Sequence, residues 1–227
     1  MKIVLLPGLD GTGKLFKPFI EALPKSIETE IISYDKQKRQ SYQELIDFVI
    51  SKLPQDNYIL LAESFSGYIA YKIALKKPKN LKHIIFVATF LKNPRPILLN
   101  FILYSPILYL PLPKFLIKLL FFDFSTNNST IELFQDVIKK IPIKILYFRL
   151  HEIKKLKLEN KKLTLPVTFI QANNDQLVPK NSINDWKSIC KKINLFQIDG
   201  KHFILQSNPN MCVNALKPLL SKPLPKL

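Results

Sequence analysis

Residues 57–74 read Asn57-Tyr58-Ile59-Leu60-Leu61-Ala62-Glu63-Ser64-Phe65-Ser66-Gly67-Tyr68-Ile69-Ala70-Tyr71-Lys72-Ile73-Ala74. The apolar run over 57–62 predicts a buried strand, and the pattern from about Gly67 to residue 76 predicts a helix directly after it. Ser64 lies at the junction in a small-x-Ser-x-small pattern, with Ala62 and Ser66 two positions either side and Gly67 next. A strand-to-helix turn of this kind holds its serine in a strained conformation, hydroxyl clear of the sheet. It needs small neighbours because strand and helix pass close together. An ordinary serine helix cap explains the same residue nearly as well, so the motif needs partners elsewhere in the chain.

Outward from this unit, strands alternate with helices. Residues 2–6 form an apolar run ended by Pro7-Gly8, followed by the turn Gly8-Leu9-Asp10-Gly11-Thr12-Gly13 and a helix over 14–23. Further strands are expected at 29–34, 82–88, 166–171 and 193–198. Ser41 with Glu44 opens a helix to about Leu53, and helices are expected over 180–191 and 209–220. This order predicts an α/β fold, a mostly parallel sheet of about six strands with helices on both faces. Residues 91–163 lack the alternation, are rich in Leu, Ile, Phe and Lys, and are broken by Pro94, Pro96, Pro106, Pro111, Pro113 and Pro142. They read as an inserted helical lid between core segments 1–90 and 164–227. The apolar run 97–113 falls short of the ~20 residues of a membrane span, and its prolines and Asn100 argue against one.

Partners for Ser64 stand at other strand ends. Asp175, in Ala172-Asn173-Asn174-Asp175-Gln176-Leu177-Val178-Pro179, follows the fifth strand; His202, in Asp199-Gly200-Lys201-His202-Phe203, follows the sixth. C-terminal strand ends put loops on the rim where parallel sheets bind ligands. Singly, Asp175 is a turn residue and His202 a loop histidine; the joint placement carries the signal. The loop after the first strand can aim the Leu9 N–H at a developing oxyanion together with the N–H of Phe65. Its glycines do not fit G-x-G-x-x-G, and Gly13-Lys14-Leu15 lacks the hydroxyl that would meet magnesium, so nucleotide binding is weakly supported. His83 reads as structural, His151 as a solvated residue of the insertion, Asp199 as second choice for the acid, and Glu63 as a structural carboxylate pointing away from Ser64. No residue cluster implies a metal, and no cofactor is expected.

With these residues placed, the chain resembles the α/β-hydrolase superfamily over nearly its whole length. The carrying segments are LLPGLDGTG (5–13), LLAESFSGYIAYKIA (60–74), IIFVATF (84–90), ANNDQLVP (172–179) and DGKHFILQSNP (199–209). It departs in having Pro7 where many relatives have His and Ala62 where most have Gly. The resemblance implies a serine esterase: Ser64 attacks an acyl carbonyl, His202 takes its proton, Asp175 orients the imidazole, and water releases the acyl-enzyme.

Composition bears on the substrate. Hydrophobic residues are 47% and charged residues 22% of 227 residues, which describes a globular domain. The opening apolar run is too short for a secretory leader, and Cys190 and Cys212 read as buried reduced thiols, so a cytoplasmic address is expected; a monomer is expected separately. The net charge is +17, and residues 91–163 are densest with 13 basic against 5 acidic groups. Such a surface attracts polyanions, although an AT-rich coding bias would explain the lysine excess as well. An apolar interior with a basic exterior suits an acyl chain on an acidic carrier, as in the small esterases that cleave pimeloyl-acyl carrier protein methyl ester in biotin synthesis, which the chain resembles. Lys92, Arg95, Lys114, Lys118, Lys139, Lys140, Lys144 and Arg149 are then the carrier-protein docking residues. Alternatives are a lipase or lysophospholipase at an anionic membrane surface, and a non-catalytic binding protein that kept the fold. Nucleic-acid binding is not expected, because the basic residues form no known module.

Overall fold

The computed structural model describes residues 2–105 and 112–221. Six parallel strands run in the order β2-β1-β3-β4-β5-β6, comprising β1 Lys2–Leu6, β2 Glu28–Ile31, β3 Tyr58–Glu63, β4 Leu81–Val87, β5 Val167–Ala172 and β6 Ile193–Ile198. The central strands β3 and β5 are buried along their whole length, as expected where both faces of a parallel sheet are covered. Alternate residues feed two cores. Val4, Leu60, Ala62 and Phe86 pack with helices α2 (Tyr42–Lys52), α3 (Ser66–Leu75) and α8 (Ile183–Ile189). Ile3, Leu5, Ile59 and Ile85 pack with α1 (Lys17–Ala22) and the C-terminal helices α9 (Ile204–Ser207) and α10 (Pro209–Leu220).

The expected elements are all present, with shifted ends. β2 stops at Ile31, three residues early, because Tyr34 N–H leaves for the Gly11 carbonyl at 2.7 Å. The first helix is a 3₁₀ turn over Lys14–Phe16 followed by α1, and the 180–191 helix likewise begins as a 3₁₀ turn over Lys180–Ser182. At α2 the Ser41–Glu44 capping box is complete. Between β4 and β5 come α4 (Pro96–Tyr104), α5 (Lys114–Phe121), α6 (Asn128–Lys139) and α7 (Ile143–Lys155). Residues 106–111, the centre of the apolar run singled out above, lie outside the described residues. Among the described residues no helix is long and apolar enough to cross a membrane. A third apolar cluster, with Ile117, Phe122, Ile131, Phe134 and Ile145, joins the insertion to Leu15 and, at its margin, to Leu9 and Phe203 of the core.

Strand order reverses at β1: the chain goes to β2 on one side and returns to β3 on the other. Crevices form outside the carboxyl ends of strands at such a switch point. Here those ends carry the Gly8 loop and Ser64.

Candidate active site

Ser64 sits at φ 48°, left-handed backbone that a side chain rarely adopts. The turn is held by Ser64 N–H donating to Val87 O at 2.9 Å and Gly67 N–H to Ser64 O at 3.0 Å. A Cβ at Gly67 would lie 2.4 Å from Thr89 Cβ, so the close approach of strand and helix falls on this glycine. Ser66, the small residue two positions after Ser64, uses its hydroxyl. Ser66 Oγ donates to the Pro7 carbonyl and accepts from Tyr34 OH at 2.5 Å, tying the turn to the Gly8 loop.

The structure brings Ser64, His202 and Asp175 together. His202 Nε2 lies 2.9 Å from Ser64 Oγ and its Nδ1 lies 2.8 Å from Asp175 Oδ2. With Nδ1–H donating to the carboxylate, Nε2 is left to accept the serine proton. Asp175 is fixed through Oδ1, which accepts from the N–H groups of Leu177 at 2.8 Å and Val178 at 2.9 Å. All three residues are at most 9% exposed. Burial pushes the His202 pKa down, but the Asp175 charge and hydrogen bond and the Glu63 charge outweigh it, so the net shift is upward.

The loop after β1 lies against Ser64: a Cβ at Gly8 would be 3.8 Å from Ser64 Cβ. Gly8 O accepts from Gly11 N–H at 3.0 Å, which fixes the Gly8–Leu9 peptide and so the direction of the Leu9 N–H. Leu9 O is held in turn by Arg149 Nη1 at 2.8 Å. Phe65 precedes the first residue of α3. Among the described residues no turn or cap hydrogen bond occupies the Leu9 or Phe65 N–H. Two donors beside an activated hydroxyl can stabilise a tetrahedral oxyanion.

His83, Cys190 and Cys212 lie buried as their sequence reading expects, and Glu63 is a buried, hydrogen-bonded carboxylate. Glu63 is only 2% exposed and accepts from Gln206 Nε2 at 3.0 Å, which ties β3 to α9, just after His202. Burial pushes its carboxyl up to about 7; Gln206 opposes this, the Asp10 charge adds to it and the His202 charge opposes it. Asp199 bonds Asn173 at 2.5 Å and has no hydrogen bond to His202. His83 bonds Thr168 Oγ1 at 2.9 Å inside the sheet, where burial pushes its pKa down to about 4. His151 packs on the Tyr147 ring at 4.7 Å. Cys190 and Cys212 are free, and burial pushes both thiols up to about 12.

Arg149 requires correction as a surface docking residue. It is 2% exposed, and its guanidinium donates to Leu9 O and Asp10 O at 2.8 Å and to Asp35 O at 3.3 Å. It lies on the apolar stripe of α7 with Ile145 and Ile153, four residues either side, and that spacing is a signal sequence reasoning missed. Tyr34 and Gln206 were missed as well, and nothing in their own segments marks them; Ser66 was read as a small neighbour of Ser64 and not for its hydroxyl. Of the other residues expected to meet a carrier protein, Lys92 pairs with Asp185, Lys114 with Glu132, Arg95 donates to Gln176 O and Lys118 to Phe124 O. Lys139, Lys140 and Lys144 are exposed.

No curated protein matches the chain in sequence at a significant level. It superposes on a lipase-esterase related protein from Clostridium acetobutylicum with a TM-score of 0.80 at 19% identity, covering 96% of this chain and 93% of that one. An esterase from Exiguobacterium antarcticum gives a TM-score of 0.80 at 14% identity over 98% and 92% of the two chains. The enol-lactonase from Burkholderia xenovorans gives 0.78 at 12% identity over 97% and 91%. At these identities the likeness shows the α/β-hydrolase fold. The family model described as serine aminopeptidase, S33, matches residues 31–195, the span that runs from β2 through the Ser64 turn and the insertion past Asp175. With most of the chain matched and the fold shared, this protein belongs to the serine aminopeptidase S33 family of α/β-hydrolases.

Proposed function

We propose that this hydrolase is a serine carboxylic-ester hydrolase working through an acyl-enzyme. The observation that carries the reading is the continuous relay Asp175–His202–Ser64, with both contacts of His202 under 3 Å. Ser64 Oγ attacks the acyl carbonyl as its proton passes to His202 Nε2, and Asp175 stabilises the imidazolium. The Leu9 and Phe65 N–H groups take the oxyanion, and the leaving alcohol collects the proton from His202. Water then repeats the sequence on the acyl-enzyme. The lipase-esterase related protein, the esterase and the enol-lactonase that it resembles are named for ester chemistry, which supports an ester over the amide in the family's description. A non-catalytic role gives no reason for a strained Ser64 already hydrogen-bonded to a buried histidine.

Two presentations of the acyl group fit the insertion. The methyl ester of pimeloyl-acyl carrier protein, a substrate of biotin synthesis, is supported by the exposed lysines Lys139, Lys140 and Lys144, which suit an acidic carrier. A lipid ester is the second reading, favoured by Ile97 and Phe101 standing 88% and 61% exposed on α4. The experiment is hydrolysis of short p-nitrophenyl esters and of methyl pimeloyl-acyl carrier protein by wild type and Ser64→Ala. The variant is expected to lose turnover by up to about 10⁶-fold and to lose covalent labelling by a fluorophosphonate. Retained turnover in Ser64→Ala overturns the mechanism. Cleavage of p-nitrophenyl esters without cleavage of the carrier-bound ester removes the biotin reading and leaves the hydrolase.

A further inference from the structure

We propose that the outer face of the insertion docks on an anionic lipid bilayer. The large apolar side chains left in water among the described residues are concentrated there. Ile97 is 88%, Phe101 61% and Tyr104 74% exposed on α4; Phe115 is 61% exposed on α5 and Phe124 63% just after it. Ile97, Phe101 and Tyr104 lie at i, i+4 and i+7, one stripe of a helix whose other side buries Leu99 and Leu103 in the core. A helix apolar on both sides in an aqueous protein needs something apolar against its second face.

Charge selects the occupant. Helix α4 contains no charged side chain and follows Arg95, and Lys114 opens α5. Lysines stand beside the exposed rings, two of them over a ring face. Lys154 Nζ is 3.1 Å from Tyr104 OH and 4.9 Å from its ring centre, Lys201 Nζ is 5.9 Å from the Phe124 ring, and Lys118 Nζ bonds the Phe124 carbonyl. Apolar side chains with ammonium groups beside them match the boundary of an anionic bilayer, where chains enter the acyl region and lysines remain at the headgroups. A second copy of this chain would bring another +17 charges against the first, which opposes self-association through this face. An acidic carrier protein would meet the lysines but leave Ile97, Phe101 and Phe115 facing a polar surface. At nine residues α4 is too short to cross a bilayer, so it lies in the interface plane.

Docking does not depend on chemistry at Ser64, so it is measured apart from turnover, by sedimentation of the full chain with vesicles. Phosphatidylcholine vesicles with about a third phosphatidylglycerol are compared with phosphatidylcholine alone. Binding to the anionic vesicles is expected to be at least about tenfold tighter, and weakened but not abolished by salt. Ile97→Ser with Phe101→Asp is expected to lower anionic binding at least about tenfold at an unchanged melting temperature. Lys118→Glu with Lys154→Glu, all exposed or half-exposed positions, lowers it independently. The proposal is overturned by absence of binding to anionic vesicles. It is equally overturned if the Ile97/Phe101 variant binds like wild type, which would make the attraction charge alone. A soluble acidic acyl carrier protein that binds wild type and loses binding in that variant, with vesicles ignored, reassigns the face.

Discussion

Directly before Ser64, Glu63 is the group expected to make the site sensitive to pH. Its carboxyl is raised to about 7, so between the ordinary carboxylate range and neutrality the folded protein holds a proton that the unfolded chain has released. That contribution favours the fold at low pH and is lost as pH rises through about 7, a difference on the order of 3 kcal/mol. Glu63→Gln removes the ionisation, and the buried Gln206 Oε1, which has no partner among the described residues, can accept from the new amide. The variant is expected to melt higher than wild type at pH 8 and to converge with it at pH 5. The second consequence is kinetic. Glu63 is one of the charges that raise His202, so its loss moves the acid limb of kcat/KM to lower pH, where the imidazole must be neutral to act as base. A melting difference with an unmoved acid limb would reduce Glu63 to a structural group. Its position before Ser64 was legible in the sequence. Its partner was not, because Gln206 is 143 positions away and carries no motif.

Helix α3 and its junction with β3 show what a local pattern can and cannot reveal. The demand for small residues around Ser64 was readable at Ala62, Ser66 and Gly67, but their division of labour needed the fold. Ser66 contributes a hydroxyl bridge to Pro7 and Tyr34, whereas Gly67 contributes the missing Cβ against Thr89. Similarly, the early end of β2 follows from Tyr34 bonding the Gly11 carbonyl through its N–H, a contact that periodicity within 29–34 does not contain. Gly67→Ala sets two effects against each other. Alanine gains about 1 kcal/mol of helix propensity over glycine, while a Cβ 2.4 Å from Thr89 Cβ forces backbone or side chain to move, costing about 1–3 kcal/mol. The contact is with the branch carbon of a buried residue, which cannot swing away, so the clash should win and the melting temperature fall. Adding Thr89→Ala removes the atoms in the way and should recover most of the loss. If Gly67→Ala alone raises stability, the helix and strand are less tightly apposed than described.

Across the whole molecule, the insertion and the sheet are joined by charge as well as by apolar packing, and α7 carries both ties. Arg149 holds three backbone carbonyls from the loops after β1 and β2, and Glu152 accepts from Tyr42 N–H at 3.0 Å, at the electropositive first turn of α2. The sequence placed an insertion between two strands and showed its positive charge, but it did not separate lysines that stay in water from an arginine that does not. Composition counts both alike; only the stripe Ile145, Arg149, Ile153 distinguishes them. The consequence is that the Gly8–Gly11 loop, the proposed source of an oxyanion donor, is held from the insertion. Arg149→Ala leaves three inward carbonyls without their donor, each costing about 1–3 kcal/mol where water cannot replace it. It also frees the peptide after Leu9, whose N–H must be aimed before an oxyanion forms. We therefore expect the urea midpoint of Arg149→Ala to drop and kcat on a short ester to fall more than KM rises. Arg149→Lys should rescue little, because one ammonium on a flexible stem cannot reach Leu9, Asp10 and Asp35 as the planar guanidinium does. A variant that loses stability but keeps kcat would mean the Gly8–Gly11 turn holds the Leu9 N–H unaided, and Arg149 would then serve only to fasten the insertion to the sheet.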